Sequence, residues 1–108
     1  MSCGKEAHGS GAGQADLENA VGQMEARFFE FVKSATAPGA LDERTKRAIT
    51  IALSVLSRCD ACAKSSIQKA REMGFSQEQI DEAAWIAVAF GGTPSMTFYK
   101  TVRRAKGG

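Results

Sequence analysis

Cys59-Asp60-Ala61-Cys62 is the stretch of this chain whose residue types and spacing could do chemistry. Asp60 is a natural helix N-cap, which places Cys62 in the first helical turn, where unpaired backbone N–H groups and the positive end of the dipole stabilise a thiolate. Cys59 lies just outside that helix and can reach Cys62. Two cysteines bracketing a helix start can close a disulfide with little backbone movement, the geometry that thiol–disulfide exchange needs. Arg58 and Lys64 add positive charge, and Asp60 opposes them. Two other uses of the pair stay open. The cysteines could simply pack as small apolar residues at a helix junction. They could also form half of a zinc tetrahedron completed by Cys3 and His8, but that second pair is spaced more loosely than a usual zinc knuckle, and no metal ligand is assigned.

The elements that must position this pair are all helices. Residues 1–15 carry Gly4, Gly9, Gly11 and Gly13 with little apolar content and read as a flexible tail, leaving residues 16–108 as the folded domain. From an N-cap at Asp16, Leu17, Ala20, Val21, Met24, Phe28, Phe31 and Val32 recur at the spacing of an amphipathic helix that Ala37-Pro38-Gly39 ends. Asp42 caps a second helix, with Glu43, Arg44, Lys46 and Arg47 as its polar start. Its run from Ala48 to Leu56 is apolar on nearly every side, so it belongs at the centre of the domain or between subunits. The cysteine-bearing helix follows and stops at Gly74. Ser76 and Gln79 form a capping box for a helix buried through Ile80, Ala83, Ala84, Ala87 and Val88, with Trp85 and Phe90 alongside. Thr93 and Pro94 start a last helix carrying Phe98, Tyr99 and Val102 and ending in Arg103, Arg104 and Lys106. No period-two strand pattern appears. The sequence predicts an all-α, single-domain bundle of about five helices.

Composition narrows the function classes. The chain has 108 residues, 44% of them hydrophobic, which suits one domain. Fourteen Lys and Arg against 12 Asp and Glu leave a formal charge of +2, too small for nucleic acid or an anionic membrane to be the expected partner. Charges interrupt every apolar run well before a membrane-spanning length, and the N-terminus lacks a signal peptide's apolar stretch. Three cysteines, an odd number, suit a reducing cytoplasm better than a secreted disulfide framework. A chain this short has little core to spare, so self-association is expected.

Several separated stretches, in order, carry a resemblance. Leu41-Asp42-Glu43-Arg44-Thr45-Lys46, the alanine-rich helix, Cys59-Asp60-Ala61-Cys62, Met73-Gly74, Gln79-Ile80-Asp81-Glu82-Ala83 and Phe90-Gly91-Gly92-Thr93-Pro94 resemble the carboxymuconolactone decarboxylase-like family, in particular its alkyl hydroperoxidase D branch. The resemblance implies an all-helical fold, a homotrimer or homohexamer, no bound cofactor, and a thiol-dependent peroxidase or disulfide reductase. Its substrate would be a hydroperoxide or small disulfide, with a separate thiol as electron donor. In that branch a glutamate, eleven residues, Cys-x-x-Cys, three residues and a histidine form the motif, the second cysteine being the nucleophile and the first resolving. Carried over, the roles fall on Cys62 and Cys59, the histidine position on Ser66 and the glutamate position on Arg47. Both members of the proton relay are thus replaced, and His8, the single histidine, lies in the tail. Ser66 can offer a hydrogen bond but cannot take a proton near neutral pH. Arg47 is either a solvated side chain or, if turned toward the cysteines, a cation favouring the thiolate. Glu43 could pair with Arg47 one turn away but is read as solvated. Decarboxylation would need a proton-handling histidine that the helices lack. A metal-binding protein and a non-catalytic scaffold of the same fold remain as alternatives.

Overall fold

The computed structural model describes residues 13–105. They form five helices: α1 (Gly13–Thr36), α2 (Glu43–Leu56), α3 (Asp60–Glu72), α4 (Gln77–Gly91) and α5 (Thr93–Ala105). Among the described residues there is no strand. The division between contact units falls after Thr36, so α1 belongs to the first unit and α2 to α5 form the second. Helix α1 begins at Gly13 instead of after an Asp16 cap. Gln14 and Ala15 are good helix formers and carry the helix upstream of Asp16. The expected tail, residues 1–15, falls mostly outside the described residues. Leu17, Val21, Met24, Phe28 and Phe31 are exposed along α1 at helical spacing.

Helix α2 starts where Asp42 accepts a hydrogen bond from the Thr45 amide at 2.8 Å. It packs against α3, α4 and α5 and is the central helix of its unit, as its apolar run predicted. Ile51 and Val55 are fully buried against Ala63, Ile67 and Ala70 of α3, Ile80, Ala83, Ala84 and Ala87 of α4, and Tyr99 and Val102 of α5. Six of these eleven side chains are larger than alanine, and the five alanines let the helix backbones approach closely. Burial stops short of the full apolar content. Ile49, Leu53 and Leu56 on α2 and Trp85, Ile86 and Phe90 on α4 remain exposed, Phe90 at 83%.

The connections are tight. Helix α3 ends in a Schellman motif, with Phe75 N–H donating to Ala70 O at 2.9 Å and Gly74 N–H to Arg71 O at 3.0 Å, Gly74 sitting at φ 91°. Arg44 of α2 holds that turn: its guanidinium donates to Met73 O at 2.8 Å and stacks 4.3 Å from the Phe75 ring centroid. Ser76 and Gln79 form the expected capping box. Helix α5 begins one residue earlier than expected. The Gly92 carbonyl accepts from the Ser95 and Met96 amides, so Gly92 is the cap and Thr93 the first helical residue. Glycine is required just before it, because a Cβ at Gly91 would overlap Ser95 Oγ and lie 2.9 Å from Leu56 Cδ1. Asp81 then ties α4 to α5, accepting from Tyr99 Oη at 2.6 Å and from Arg103 Nε at 2.9 Å. Burial pushes the Asp81 carboxyl up, but the hydrogen bonds from Arg103, Tyr99 and Gln77 outweigh it and hold the group below its ordinary value.

The same turn occurs at the end of α2 with a different residue. Arg58 N–H donates to Val55 O at 3.0 Å and Cys59 N–H to Ser54 O at 3.2 Å, so Arg58 occupies the left-handed position at φ 54° that Gly74 fills after α3. A side chain there costs on the order of 1 kcal/mol. Arg58→Gly should therefore raise the urea midpoint, by up to about 1 kcal/mol of stability, while Gly74→Ala should lower it by about the same amount or more. Equal signs for the two substitutions would contradict this reading of the turns.

Candidate functional site

Cys59 belongs to two helix ends at once. Its amide closes the turn that ends α2, and its side chain caps α3, with Sγ accepting a hydrogen bond from the Cys62 amide at 3.2 Å. The cap of α3 is thus Cys59 and not Asp60, which is the first helical residue. The one-residue shift follows from the αL turn at Arg58, which leaves Cys59 extended at φ −95° and ψ 106°. Cys62 stays in the first turn, as expected. The two cysteines are joined as a disulfide with their Cα atoms 5.2 Å apart. Cys62 is exposed and Cys59 half-buried, so a reactant from solution meets Cys62 first.

Ser66 lies one turn after Cys62 on α3 and is buried at 3% exposure. Arg47 of α2 turns inward and its Nη1 donates to Ser66 Oγ at 3.2 Å. The two positions at which the family motif has glutamate and histidine are therefore in direct contact. Arg47 is half-buried and not a solvated side chain, because α2 packs along α3 at this level. Its Nε is buried with no hydrogen-bond partner. Among the described residues no carboxylate is within ion-pair distance of Arg47, Glu43 included, so its charge is not neutralised there.

The other cations contribute less. Lys64 Nζ pairs with Asp60 at 3.2 Å in an exposed contact that offsets both charges. Arg58 is exposed and sits on the turn itself. Cys3 and His8 lie outside the described residues, and no group of three His, Cys, Asp or Glu residues placed to hold a metal occurs among the described ones. Arg44 went unread as a contact residue from sequence. Its position among the polar residues that open α2 gave no signal that it would clamp the Met73–Phe75 turn. An open groove of about 550 Å³ runs between α2 and α4, lined by Ala48, Ile49, Leu53, Phe75 and Ile86 among others, and neither cysteine faces it.

A small helical unit with a cysteine pair spanning a two-helix junction defines an all-α class of protein. The model of the carboxymuconolactone decarboxylase family matches residues 6–102, and the chain belongs to that family. It is 34% identical over 76 residues, covering 70% of this chain and 68% of the relative, to a protein of Paracoccus denitrificans called "Uncharacterized protein 4 in cox locus". Its fold is similar to the crystal structure of a carboxymuconolactone decarboxylase family protein from Legionella pneumophila, with a TM-score of 0.72 and 28% identity over 85% of this chain and 82% of that one. A family protein from Thermotoga maritima, described as "possibly involved in antioxidative response", matches at a TM-score of 0.69 and 28% identity over 82% and 79% of the two chains.

With the pair held at one helix start, Cys59 and Cys62 should become protected together on mild oxidation while Cys3 stays open to alkylation. Thiol mapping by mass spectrometry checks it. Protection of Cys3 with either partner, or stoichiometric zinc in protein purified without chelator, would replace the redox site by a metal site.

Proposed function

We propose that the protein is a thiol–disulfide oxidoreductase of the alkylhydroperoxidase-like kind, working through Cys62 as the attacking thiolate and Cys59 as the resolving thiol. The observation that carries this reading is the Cys59–Cys62 disulfide at the N-terminus of α3 with Cys62 exposed. In the reduced state Cys62 lies in the first turn of α3, at the positive end of the helix dipole, which favours its thiolate. Attack by that thiolate on a small disulfide or hydroperoxide leaves Cys62 oxidised, and Cys59 then displaces the bound group to restore the internal disulfide. A separate thiol donor returns the pair to the dithiol. No step calls for a bound cofactor. The antioxidative description of the Thermotoga maritima relative supports the same reading.

The working form proposed is a homo-oligomer, a trimer or a hexamer by the resemblance. Support comes from the apolar residues that α2 and α4 leave exposed, Leu53 and Trp85 among them. Among the described residues no helix is long and apolar enough to cross a membrane. The odd cysteine count supports a cytoplasmic location, and the small net charge gives no support for nucleic acid or membrane as partner.

Reduced protein mixed with an excess of a small disulfide or an organic hydroperoxide should re-form the Cys59–Cys62 bond with at least one of them. Cys62→Ser should abolish the reaction, whereas Cys59→Ser should permit the first step and trap Cys62 as an adduct visible by mass. A wild-type pair that reacts no faster than free cysteine would contradict the redox reading. Sedimentation of the same samples as a monomer at micromolar concentration would contradict the assembly.

A further inference from the structure

Each of the two units leaves one apolar face bare, and the two faces are complementary in form. On α1, Leu17, Val21, Met24, Phe28 and Phe31 follow one another in steps of four, three, four and three residues, which keeps all five on one side of the helix. Each is between 57% and 65% exposed. Helices in proteins owe most of their stability to the packing of such a stripe, so α1 needs a surface to lie on.

The groove between α2 and α4 is a surface of matching shape. These helices run side by side in the same direction: Arg44 Nη2 donates to Gln79 Oε1 at 3.5 Å at one end, and at the other Leu56 Cδ1 lies 2.9 Å from where a Cβ on Gly91 would be. Ala48, Ala52 and Ala83 form the floor and leave depth for large side chains, while Ile49, Leu53 and Ile86 stand exposed along the walls. Arg44 and Glu82, the charged groups that line it, are of opposite sign, so the groove suits an apolar occupant over an ionic one. Lengths agree as well. From Leu17 to Phe31 the stripe spans about 21 Å at the α-helical rise, and α2 from Arg44 to Leu56 spans about 18 Å.

We infer that α1 of one copy seats its Leu17 to Phe31 stripe in the α2–α4 groove of another copy of this chain. The inference rests on the homo-oligomer reading above and names its interface. Two α1 helices paired with each other would cover the stripe and leave the groove bare, and two grooves placed face to face would do the reverse. A helix in a groove covers both, and every copy gives one helix and receives one. Phe28 and Phe31 also differ from the branched aliphatic residues that fill a two-stranded coiled-coil seam. At about 100 Å² for each of the five side chains, the stripe and the groove opposite it bury about 1,000 Å² per contact, and each copy makes two contacts, which reaches the range of a stable interface. The joined faces are unlike, so the contacts close as a ring of copies without a second kind of interface.

The test uses two full-length variants, Phe28→Glu on the helix and Leu53→Glu in the groove, both at exposed positions outside the core. A carboxylate buried in this contact should weaken association by at least about 10²-fold, so each variant alone should sediment as a monomer where wild type does not. Mixed in equal amounts, they should form a one-to-one dimer, because Leu53→Glu keeps an intact helix and Phe28→Glu an intact groove. Should either lose its helical circular dichroism, Val21→Gln and Ile86→Gln repeat the experiment without the charge. Wild-type assembly retained by the groove variant would show helices paired with helices, and assembly retained by the helix variant would show groove against groove; either overturns the inference. Two monomers that form no dimer on mixing overturn it too. A monomeric wild type would instead remove the homo-oligomer reading itself.

Discussion

The turn between α2 and α3 is the constraint on which the site depends. Three residues, Ser57, Arg58 and Cys59, reverse the chain; their amides donate to Leu53 O, Val55 O and Ser54 O, and Cys59 Sγ accepts from the Cys62 amide. So short a link leaves α3 no choice but to run back along α2. That antiparallel contact sets Arg47 opposite Ser66 and puts Cys62 at the exposed end of the helix pair. Strain at Arg58 is the cost of the arrangement. Sub-optimal backbone of this kind is found where a local geometry is over-determined by its surroundings, and here the surroundings are two helix caps sharing one cysteine.

Around this junction the core is thin. Alanines at positions 63, 70, 83, 84 and 87 draw the helices close, and the large fully buried side chains are Ile51, Val55, Ile80 and Val102. Close helix contact gives a rigid frame for the cysteine pair but covers little apolar area per residue. The remainder stays on the outer faces of α2 and α4 and along α1. Stability and assembly are thereby linked in the proposed oligomer, since the surface left bare by the small core is the surface available for a second copy.

Much of this was legible in the sequence, for physical reasons that differ from element to element. Asp42, the Ser76–Gln79 box and Gly74 act through hydrogen bonds within a few residues, so their type and spacing suffice to read them. The cysteine pair was legible for the same reason. Boundaries decided by backbone conformation were not. Asp60 is a better cap than cysteine by residue type, and nothing local says that Arg58 adopts φ 54° and moves the cap to Cys59. Gly92 displaced Thr93 as the cap of α5 in the same way. Long-range partners were the least legible. Arg44 and Arg47 are both arginines near the start of one helix, three positions apart, yet one clamps the Met73–Phe75 turn and the other reaches Ser66. The positions of Arg47 and Ser66 could be singled out from the resemblance, but that they bond to each other required the packing of α2 on α3.

Cys62 as the attacking thiolate of a redox pair held by the α2–α3 turn is the central claim, and titration of that thiolate tests it most directly. In Cys59→Ser protein, ultraviolet absorbance followed against pH should show one step with its midpoint below the free-cysteine value of about 8.5 and no inflection near the histidine value of about 6.5. A midpoint at or above 8.5 would contradict the account.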